Sequence, residues 1–254
     1  MVQRVADDII CEYIQSRSNV ALGDICLSFG VSESTARRAL SRLAKEGRIQ
    51  RYRSAAVALS AKPTAYDQRL AIYSTEKDQI AKIAADTIKN GSSVILLGGT
   101  TVNAMCPYLY GKELTVITNS LTVIDRLKGT PGIQIIMLGG VYNHEEYEFV
   151  GNVTAMGLRS IYADSLFIGC VGFSPDIGFM TNHIDTIEFY KLCIKNAKRT
   201  TMLADSTKSN SSGIAIFAYA EEIHHLITDD GTAPEVVTAF HDLGVDVSIA
   251  KNRM

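Results

Sequence analysis

The sequence predicts a two-part α/β protein, in which a small N-terminal helix-turn-helix unit with a β-wing precedes a larger domain built on a mainly parallel sheet. Three observations support this prediction. A helical pattern with one apolar face and one cationic face lies near the N-terminus, directly after a second short helical pattern. Beyond residue 75, short apolar runs alternate with helical patterns. Strands that are apolar throughout and separated by helices are typical of a parallel sheet covered on both faces.

The cationic helix lies in the stretch that begins at Val31. Ser32 is a favourable N-cap, and Gly47 lies beyond the last periodic residue, where glycine commonly ends a helix. From Arg37 to Arg53 there are seven Lys or Arg residues and a single acid, Glu46. The apolar positions recur at the helical period and predict the buried face. They are Ala36, Ala39, Leu40 and Leu43.

Two further helices are expected before the cationic helix. Residues 3–16 place their apolar side chains on one stripe, and a short helix is expected at Leu22–Phe29 with Gly30 as its stop. Two helices joined by a tight glycine-containing turn form the core of a helix-turn-helix. Residues 48–59 are expected to form a short two-stranded wing. The expected division of the chain is a winged helix-turn-helix domain at residues 1–60, a linker at 61–75 and the larger domain at 76–254.

The exposed face of the cationic helix and the wing supply candidate DNA-contacting residues. Arginine pairs with guanine in the major groove through two hydrogen bonds, and it also binds phosphate groups without reading the base sequence. The sequence does not assign these two roles to individual arginines, and a solvated cationic surface is the alternative interpretation. The candidates are Ser32, Ser34, Thr35, Arg37, Arg38, Ser41, Arg42, Arg51 and Arg53.

Seven short apolar runs predict the strands of the larger domain. An amphipathic helix at Glu76–Lys89 precedes the first of them. The runs are Ser93–Leu97, Leu114–Thr118, Ile133–Leu138, Ser165–Gly169, Thr201–Ala204, His225–Thr228 and Val245–Ile249.

Small polar residues follow several of the predicted strands. Ligand sites in parallel sheets gather at the carboxyl ends of the strands. Glycine lets the backbone approach a ligand, and Thr, Ser and Asn side chains with helix N-terminal amides suit an anion such as phosphate. Turn chemistry explains any single Gly-Gly pair, and a solvated side chain is the alternative for the lysine, but four such strand ends predict a pocket. The candidate ligand-binding residues are Gly98, Gly99, Thr100, Thr101, Thr118, Asn119, Ser120, Gly139, Gly140, Gly172 and Lys208.

The distribution of charge favours nucleic-acid binding by the N-terminal part alone. The whole chain has a net charge of −2. Residues 1–60 hold nine Lys/Arg and six Asp/Glu, a net charge of +3, so the remaining residues carry a net charge of −5. No apolar run reaches the roughly 18 residues that span a bilayer. Acids near the N-terminus argue against a secretory signal. We therefore expect a cytoplasmic protein without a membrane partner.

The cysteines and histidines do not predict a metal site. The five cysteines lie far apart without a C-x-x-C pair, which argues against zinc and against a disulfide framework. Buried reduced thiols are expected for Cys11, Cys26, Cys106, Cys170 and Cys193. We assign no catalytic residue, no metal ligand and no cofactor.

The whole chain resembles the DeoR-type bacterial transcription regulators. In the N-terminal part the resemblance lies in VSESTARRALSRLAKEGRI at Val31–Ile49. The resemblance implies a winged helix-turn-helix repressor with a sensor domain related in fold to ribose-5-phosphate isomerase. It also implies a double-stranded DNA operator, a sugar or sugar-phosphate effector and a homo-oligomer, which we expect to be a dimer or tetramer. In the larger domain the resemblance lies in Glu76–Leu96, Gly98–Thr101, Thr118–Leu121, Leu138–Gly140, Gly169–Phe173 and Ala204–Lys208.

The chain also departs from the pattern of that family. Ala39 stands where the family usually has Asp, and the wing lacks the usual glycines. Thr186 and Tyr190 occupy positions where the family tends to carry Glu and Lys. The loss of these ionisable groups favours a less acidic or unphosphorylated ligand.

Two alternatives to a ligand-controlled regulator remain open from the sequence. One is a DNA-binding protein whose pocket is vestigial and serves only in oligomerisation. The other is a sugar-phosphate isomerase-like enzyme, which needs a carboxylate base and an acid or cation converging on the carbonyl group. Because the acids expected near the pocket have no evident partner, we expect no enzymatic activity. Those acids are Asp185, Glu188 and Asp205, whereas Glu145, Glu146 and Glu148 are expected to face solvent.

Overall fold

The computed structural model describes residues 7, 9–11, 13, 19–45, 49–51, 55–58, 66–209 and 211–251. The chain divides into two compact units, Met1–Thr64 and Ala65–Met254. Among the described residues, no helix has the length and apolar character that a membrane crossing requires.

The first unit contains the predicted helix-turn-helix and wing. The helix α1 is represented by the described residues between 7 and 13. The strand β1, Asn19–Ala21, leads into α2, Leu22–Phe29, and α3, Glu33–Lys45, follows the turn at Gly30. Gly30 has a φ of 61°, a left-handed conformation that glycine adopts without steric cost. The helix boundaries confirm the expected second helix and its stop.

The wing is a three-stranded antiparallel sheet. The strands β2, Ile49–Arg51, and β3, Ala55–Ala58, pair as predicted, and β1 adds a third strand that the sequence did not predict. The order is β1-β3-β2. The predicted apolar face of α3 packs into the core of this unit together with Ile10, Leu22 and Ile25. All four residues of this apolar face are buried, namely Ala36, Ala39, Leu40 and Leu43.

Two helices open the second unit. They are α4, Tyr66–Ala71, and α5, Ser74–Asp86. Tyr66 is only 3% exposed, and its backbone amide donates to the carbonyl of Glu145. The described part of the segment expected as a linker, residues 61–75, therefore begins with a helix that is anchored to the second unit through Tyr66. Residues 61–65 lie outside the described part of the chain.

A seven-stranded parallel sheet forms the centre of the second unit and confirms the predicted fold class. Its spatial order is β15-β14-β12-β9-β4-β5-β6, and every described pairing is parallel. The strands are β4, Ser93–Leu96; β5, Leu114–Thr118; β6, Ile133–Met137; β9, Ala163–Gly169; β12, Ala197–Leu203; β14, His225–Asp229; and β15, Asp246–Ala250.

Both faces of this sheet are covered, as continuous apolar strands require. Successive residues of β4 pack into two different cores: Val94 and Leu96 into one, and Ile95 into the other. The helices that cover the sheet with α5 are α6, Thr100–Asn103; α7, Leu121–Leu127; α8, Asn152–Leu158; α9, Ile187–Lys195; and α10, Pro234–Asp242.

Two small antiparallel sheets complete the second unit. A hairpin joins β7, Val141–Asn143, to β8, Glu148–Val150. The second sheet has the order β10-β11-β13, from the strands Gly172–Ser174, Gly178–Thr181 and Ala215–Ala218.

The five cysteines are free thiols. Burial was predicted for all of them, and the structure agrees for three but leaves Cys26 and Cys170 only partly buried.

Candidate functional site

The start of α3 presents short polar side chains to solvent. The backbone amides of Thr35 and Ala36 both donate to the carbonyl of Ser32, and the Ser32 Oγ accepts from the Thr35 amide at 3.3 Å. Ser32 therefore has the contacts expected of a helix N-cap. Ser34 and Thr35 lie within 3.0 Å of its hydroxyl and are exposed. An exposed helix start that carries hydroxyl groups suits contacts to DNA phosphates.

Two arginines on α3 are exposed. The guanidinium of Arg37 lies 3.1 Å from the carboxylate of Glu33, one turn earlier, and 46% of the Arg37 side chain is exposed. An exposed ion pair of this kind contributes little stability and is easily exchanged for another partner. Arg38 donates from Nε to the carbonyl of Ser34 at 3.2 Å. Both side chains thus remain accessible to a ligand of the helix.

Arg42 is engaged inside the unit. Its Nε and Nη2 donate to the two carboxylate oxygens of Asp7 at 2.7 and 2.8 Å, and Asp7 is buried. This bidentate pair ties α3 to α1. The Ser41 hydroxyl donates to the carbonyl of Arg37 at 2.7 Å, which satisfies it within the helix. The sequence made Arg42 a candidate DNA contact but could not reveal this partner, because Asp7 is 35 residues away.

The predicted wing residues are only partly covered by the structure. Arg51 is the last residue of β2, whereas Arg53 lies outside the described residues.

At the carboxyl edge of the large sheet, the β7–β8 hairpin folds over the end of β5. Ser120 forms an antiparallel bridge with Glu148. The Phe149 amide donates to the Asn119 carbonyl at 2.8 Å, and the Leu121 amide donates to the Tyr147 carbonyl at 2.8 Å. These bonds place β8 beside the residues that follow β5, so that its side chains reach the loop after the neighbouring strand β4.

The Glu148 carboxylate lies at the first glycine of that loop. A Cβ added to Gly98 would overlap the Glu148 Oε2. Glu148 is 5% exposed, and its Oε2 accepts from the Asn119 Nδ2 at 3.4 Å, a weak contact. Burial raises the pKa of Glu148 to about 7, and the nearby charge of Glu146 acts in the same direction. Glycine at position 98 is thus required for the close approach of a carboxylate.

Glu146 is paired on the same hairpin. Arg69 of α4 donates to both of its carboxylate oxygens, one of them at 2.8 Å, and the His183 Nε2 lies 3.7 Å from the Glu146 Oε1. Burial raises the pKa of Glu146, but the contacts with His183 and Arg69 lower it by more than burial raises it. The same Glu146 contact raises the pKa of His183.

The expectation that all three acids of this segment face solvent is wrong for two of them. Glu145 is exposed, but the Glu146 side chain is only 12% exposed and Glu148 is buried. The reason is the fold of the hairpin, which turns alternate side chains toward the sheet. Glu148 and Val150 share one face of β8, and the apolar Val150 is the signal that could have identified that face as buried. Glu146 precedes the strand and is held by Arg69.

A second polar group lies after β12. Asp205 is 1% exposed, and its carboxylate accepts a hydrogen bond from the Thr207 hydroxyl. Lys77 of α5 is 6% exposed and donates from Nζ to the carbonyls of Arg69 and Ile72, each at 2.6 Å. Burial lowers the pKa of Lys77 to about 8, while the charge of Asp205 opposes this change.

The charge of Lys208 also lowers the pKa of Lys77, which places the predicted Lys208 near this group. Lys77 was not among the sequence candidates, because its place in an amphipathic helix pattern gave no sign of burial.

Several predicted ligand-binding residues have structural roles at the strand ends. The Thr118 Oγ1 accepts from the Ser120 amide at 3.0 Å, and Ser120 is the N-cap of α7. A Cβ at Gly140 would overlap Thr154, and one at Gly172 would overlap the backbone of Ser211.

The remaining candidates stay at the strand ends as the sequence placed them. Gly99 precedes α6, Thr100 and Thr101 begin it and are buried, and Gly139 is exposed after β6. The Glu148 carboxylate lies against both Gly98 and Asn119 and so links the ends of β4 and β5.

Comparison with known proteins gives consistent matches in both units. A family model described as a DeoR-like helix-turn-helix domain matches residues 7–62, and one described as the DeoR C terminal sensor domain matches residues 73–230. The HTH-type transcriptional repressor GlcR of Bacillus subtilis (strain 168) is 34% identical over 222 residues, or 87% of this chain and 86% of that protein. The HTH-type transcriptional regulator GolR of Listeria innocua is 31% identical over 245 residues, or 95% of this chain and 96% of that protein.

More distant likenesses extend this set. The lactose phosphotransferase system repressor of Staphylococcus epidermidis is 27% identical over 228 residues, or 88% of this chain and 90% of that protein. Among solved structures, ribose 5-phosphate isomerase A of Methanocaldococcus jannaschii overlaps 56% of this chain and 54% of that chain, with a TM-score of 0.38 and 16% identity.

Proposed function

The chain belongs to the DeoR family of helix-turn-helix transcriptional regulators, and we propose that it is a repressor whose affinity for operator DNA changes when a sugar-type effector binds its C-terminal domain. The observation that carries the proposal is α3, whose apolar face is buried while its opposite face exposes cations and hydroxyl groups. The names of two relatives describe repressors, one of them of a lactose phosphotransferase system.

Arg37 and Arg38 are the proposed groove-facing residues of α3. Each is exposed on the helix, and a good bidentate arginine–guanine pair discriminates against other bases by about 1–3 kcal/mol. Ser32, Ser34 and Thr35 at the helix start are proposed phosphate contacts. We assign Arg42 a positioning role, since its guanidinium is committed to Asp7. Its pairing fixes the angle between α1 and α3 rather than reading bases.

The effector is proposed to bind at the carboxyl edge of the large sheet, between the β4 loop and the β7–β8 hairpin. A ligand that moves this hairpin also moves Glu146, and Glu146 is bonded to Arg69 of α4. Helix α4 is the first described element of the second unit. Ligand binding at the hairpin therefore has a physical route to the segment that enters the unit. Such linkage requires only that the ligand bind more tightly to one of two arrangements of the protein, one that binds DNA well and one that binds it poorly.

An isomerase-like enzyme is the less favoured alternative. The relatives reported above are named as regulators or repressors. Asp185 is exposed, and the Glu188 side chain is 88% exposed, so neither has the protected setting that a general base requires. Asp205 is buried but accepts from Thr207. We propose that the domain senses a ligand without converting it.

Oligomerisation is part of the proposal. A dimer or tetramer would place two or more helix-turn-helix units on repeated half-sites, spaced about one helical turn of DNA or a multiple of it apart. A vestigial pocket that serves only in assembly remains the competing account. It predicts assembly without any ligand-dependent change in DNA affinity.

The test of the DNA-binding assignment uses full-length protein and a duplex selected from a random-sequence library. The double variant Arg37→Ala/Arg38→Ala is expected to weaken binding by tenfold or more, and to reduce the slope of log affinity against log salt by about 1–2 if these arginines contact phosphates. Lys198→Ala, an exposed cation of the second unit, is the matched control and is expected to leave affinity unchanged. Unchanged affinity in the double variant contradicts the assignment of α3 as the reading helix.

A further inference from the structure

The large parallel sheet has one edge that carries no charge. In the described structure, β6 is the last strand in the spatial order and pairs only with β5. Two ranges at this edge, 131–143 and 149–158, contain no Asp, Glu, Lys or Arg, although 20% of the whole chain is charged. The opposite edge strand, β15, begins with Asp246, which pairs with Arg199 at 2.8 Å. Charges of this kind commonly protect an exposed sheet edge, so the edge at β6 requires another cover.

The unpaired backbone of β6 points away from the sheet at alternate residues. The Leu138 amide donates to the Thr118 carbonyl of β5 at 2.8 Å, so the even-numbered residues of this segment direct their backbone groups to β5. Backbone groups alternate in direction along a strand. Those of Ile135 and Met137 therefore face away from β5. A row of outward amides and carbonyls is a template for a second strand.

The large side chains beside this edge are apolar and exposed. We call five of them the edge surface, and their exposed fractions lie between 43% and 68%: Met137, Val141, Tyr142, Val153 and Met156. The elements that carry them pack together, because Val141 lies beside Gly151 and a Cβ at Gly157 would lie 3.3 Å from the Leu138 Cδ2. Uncharged surfaces with Met and Tyr side chains are typical of the centre of a protein–protein interface.

The size and the chemistry of this edge fit a second copy of the chain. A stable interface uses about 20–30 residues a side. The two uncharged ranges hold 13 and 10 residues, and all but four of these are at least partly exposed. A surface without charge offers no complement to nucleic acid or to an acidic peptide. A second copy, in contrast, supplies an identical uncharged edge with its own unpaired strand.

We propose that the edge surface is a two-fold interface between two copies of this chain, in which the two β6 strands pair antiparallel about Ile135. This pairing sets Met137 of one copy opposite Ile133 of the other and joins the two sheets into one. The members of the edge surface on β7 and α8 flank the paired strands. Two-fold contacts of one patch with itself are the commonest in homo-oligomers. The inference rests on the proposed function only for the statement that the chain assembles.

The mass of the full-length protein in solution tests the interface. Size-exclusion chromatography with light scattering is applied to wild type and to Met137→Lys and Val153→Lys, which each place a charge on the edge surface. Both side chains are exposed, so the lysine can extend into solvent in a separated chain. We expect each variant to halve the mass measured for wild type. The matched control is Leu243→Lys, at a 49% exposed apolar residue after α10, and it is expected to keep the wild-type mass.

The variant Ile135→Cys tests the pairing of the strands. Antiparallel pairing about this residue places the two copies of residue 135 in a hydrogen-bonded pair, with their Cα atoms about 5.5 Å apart. That separation lies within the range of a disulfide. We expect mild oxidation to give a cross-linked dimer in much greater yield than in wild type, which has five free thiols. Ser248→Cys, at the centre of β15, is the control and is expected to stay at the wild-type yield.

Two outcomes overturn the interface: a wild-type mass in both lysine variants, or a wild-type yield of cross-linked dimer in Ile135→Cys. If one lysine variant does not fold, the other variant and the cysteine variant still decide. A monomeric wild type that binds a selected duplex overturns the interface and leaves the DNA-binding assignment standing. Absence of duplex binding by a protein whose mass halves in Met137→Lys refutes the regulator and leaves the interface standing.

Discussion

The buried carboxylate of Glu148 should make the stability of the protein depend on pH in a way that one substitution removes. Its pKa is raised from 4.5 to about 7. The folded chain therefore keeps a proton on Glu148 at pH values where the unfolded chain has released it. Because the folded state then binds more protons, the free energy of unfolding falls as the pH rises from about 4.5 to about 7.

The size of this effect follows from the same values. Each tenfold difference in proton affinity corresponds to about 1.4 kcal/mol, so a change from 4.5 to about 7 corresponds to about 3 kcal/mol. The charges of Glu146, His183 and Asp185 act on the same carboxylate. Burial raises the pKa of the nearby Tyr190 hydroxyl, and the charge of Glu148 acts in the same direction. His183, whose pKa is also raised, adds a decline of the same sign above its unfolded pKa of about 6.5.

Glu148→Gln isolates the contribution of the carboxylate, because the amide does not titrate. Urea unfolding of the full chain, followed by far-ultraviolet circular dichroism between about pH 5 and about pH 8, measures it. Relative to wild type, the variant is expected to gain about 2–3 kcal/mol as the pH rises across this range. Glu188→Gln, at an exposed site, is the control and should show no such trend. A wild-type minus Glu148→Gln difference that is flat with pH would refute the reasoning.

Three other experiments test the remaining contacts. Leu43→Ala removes a fully buried side chain of the first unit and is expected to cost about 2–5 kcal/mol in the free energy of unfolding, measured by urea unfolding. A double-mutant cycle of Arg69→Met and Glu146→Gln is expected to give a coupling energy of about 2–3 kcal/mol, because both side chains are largely buried. Asp7→Ala is expected to cost about 1–2 kcal/mol and to weaken DNA binding, since it releases Arg42 from its bidentate pair.

Each of these has a contrary outcome. A loss below about 0.5 kcal/mol in Leu43→Ala would mean that α3 is not anchored by that residue. A coupling energy near zero would make the Arg69–Glu146 pair equivalent to an exposed ion pair. DNA affinity that rises in Asp7→Ala would indicate that Arg42 is itself a DNA contact that Asp7 withholds.

The sheet could be predicted from the sequence because its strands are buried on both faces. Runs such as Leu114–Thr118 and His225–Thr228 have no polar alternation, and their position in a parallel sheet follows from the helices between them. The turn between α2 and α3 could also be predicted, because Gly30 marks the end of one helix and Ser32 the start of the next. These features depend on local signals, which the sequence carries directly.

Long-range pairing could not be predicted in the same way. The Asp7–Arg42 pair joins residues 35 positions apart, and Arg69 meets Glu146 across 77 positions. The burial of Glu148 was not predicted for a related reason. A carboxylate in a short polar segment is expected to face solvent, and only the contacts of the hairpin with Asn119 and Ser120 turn this side chain inward. The sequence thus identified the polar residues at the strand ends but not the buried carboxylate beside them.

The central claim is that occupancy of the strand-end site changes the affinity of this protein for operator DNA. The most direct measurement is fluorescence anisotropy of a library-selected duplex titrated with full-length protein, with and without a probe, which is a sugar or sugar phosphate that binds the protein in calorimetry. The account predicts a change in the DNA dissociation constant of about fivefold or more, which Glu148→Gln abolishes at the same probe concentration. Identical DNA affinity at saturating and zero probe would contradict it.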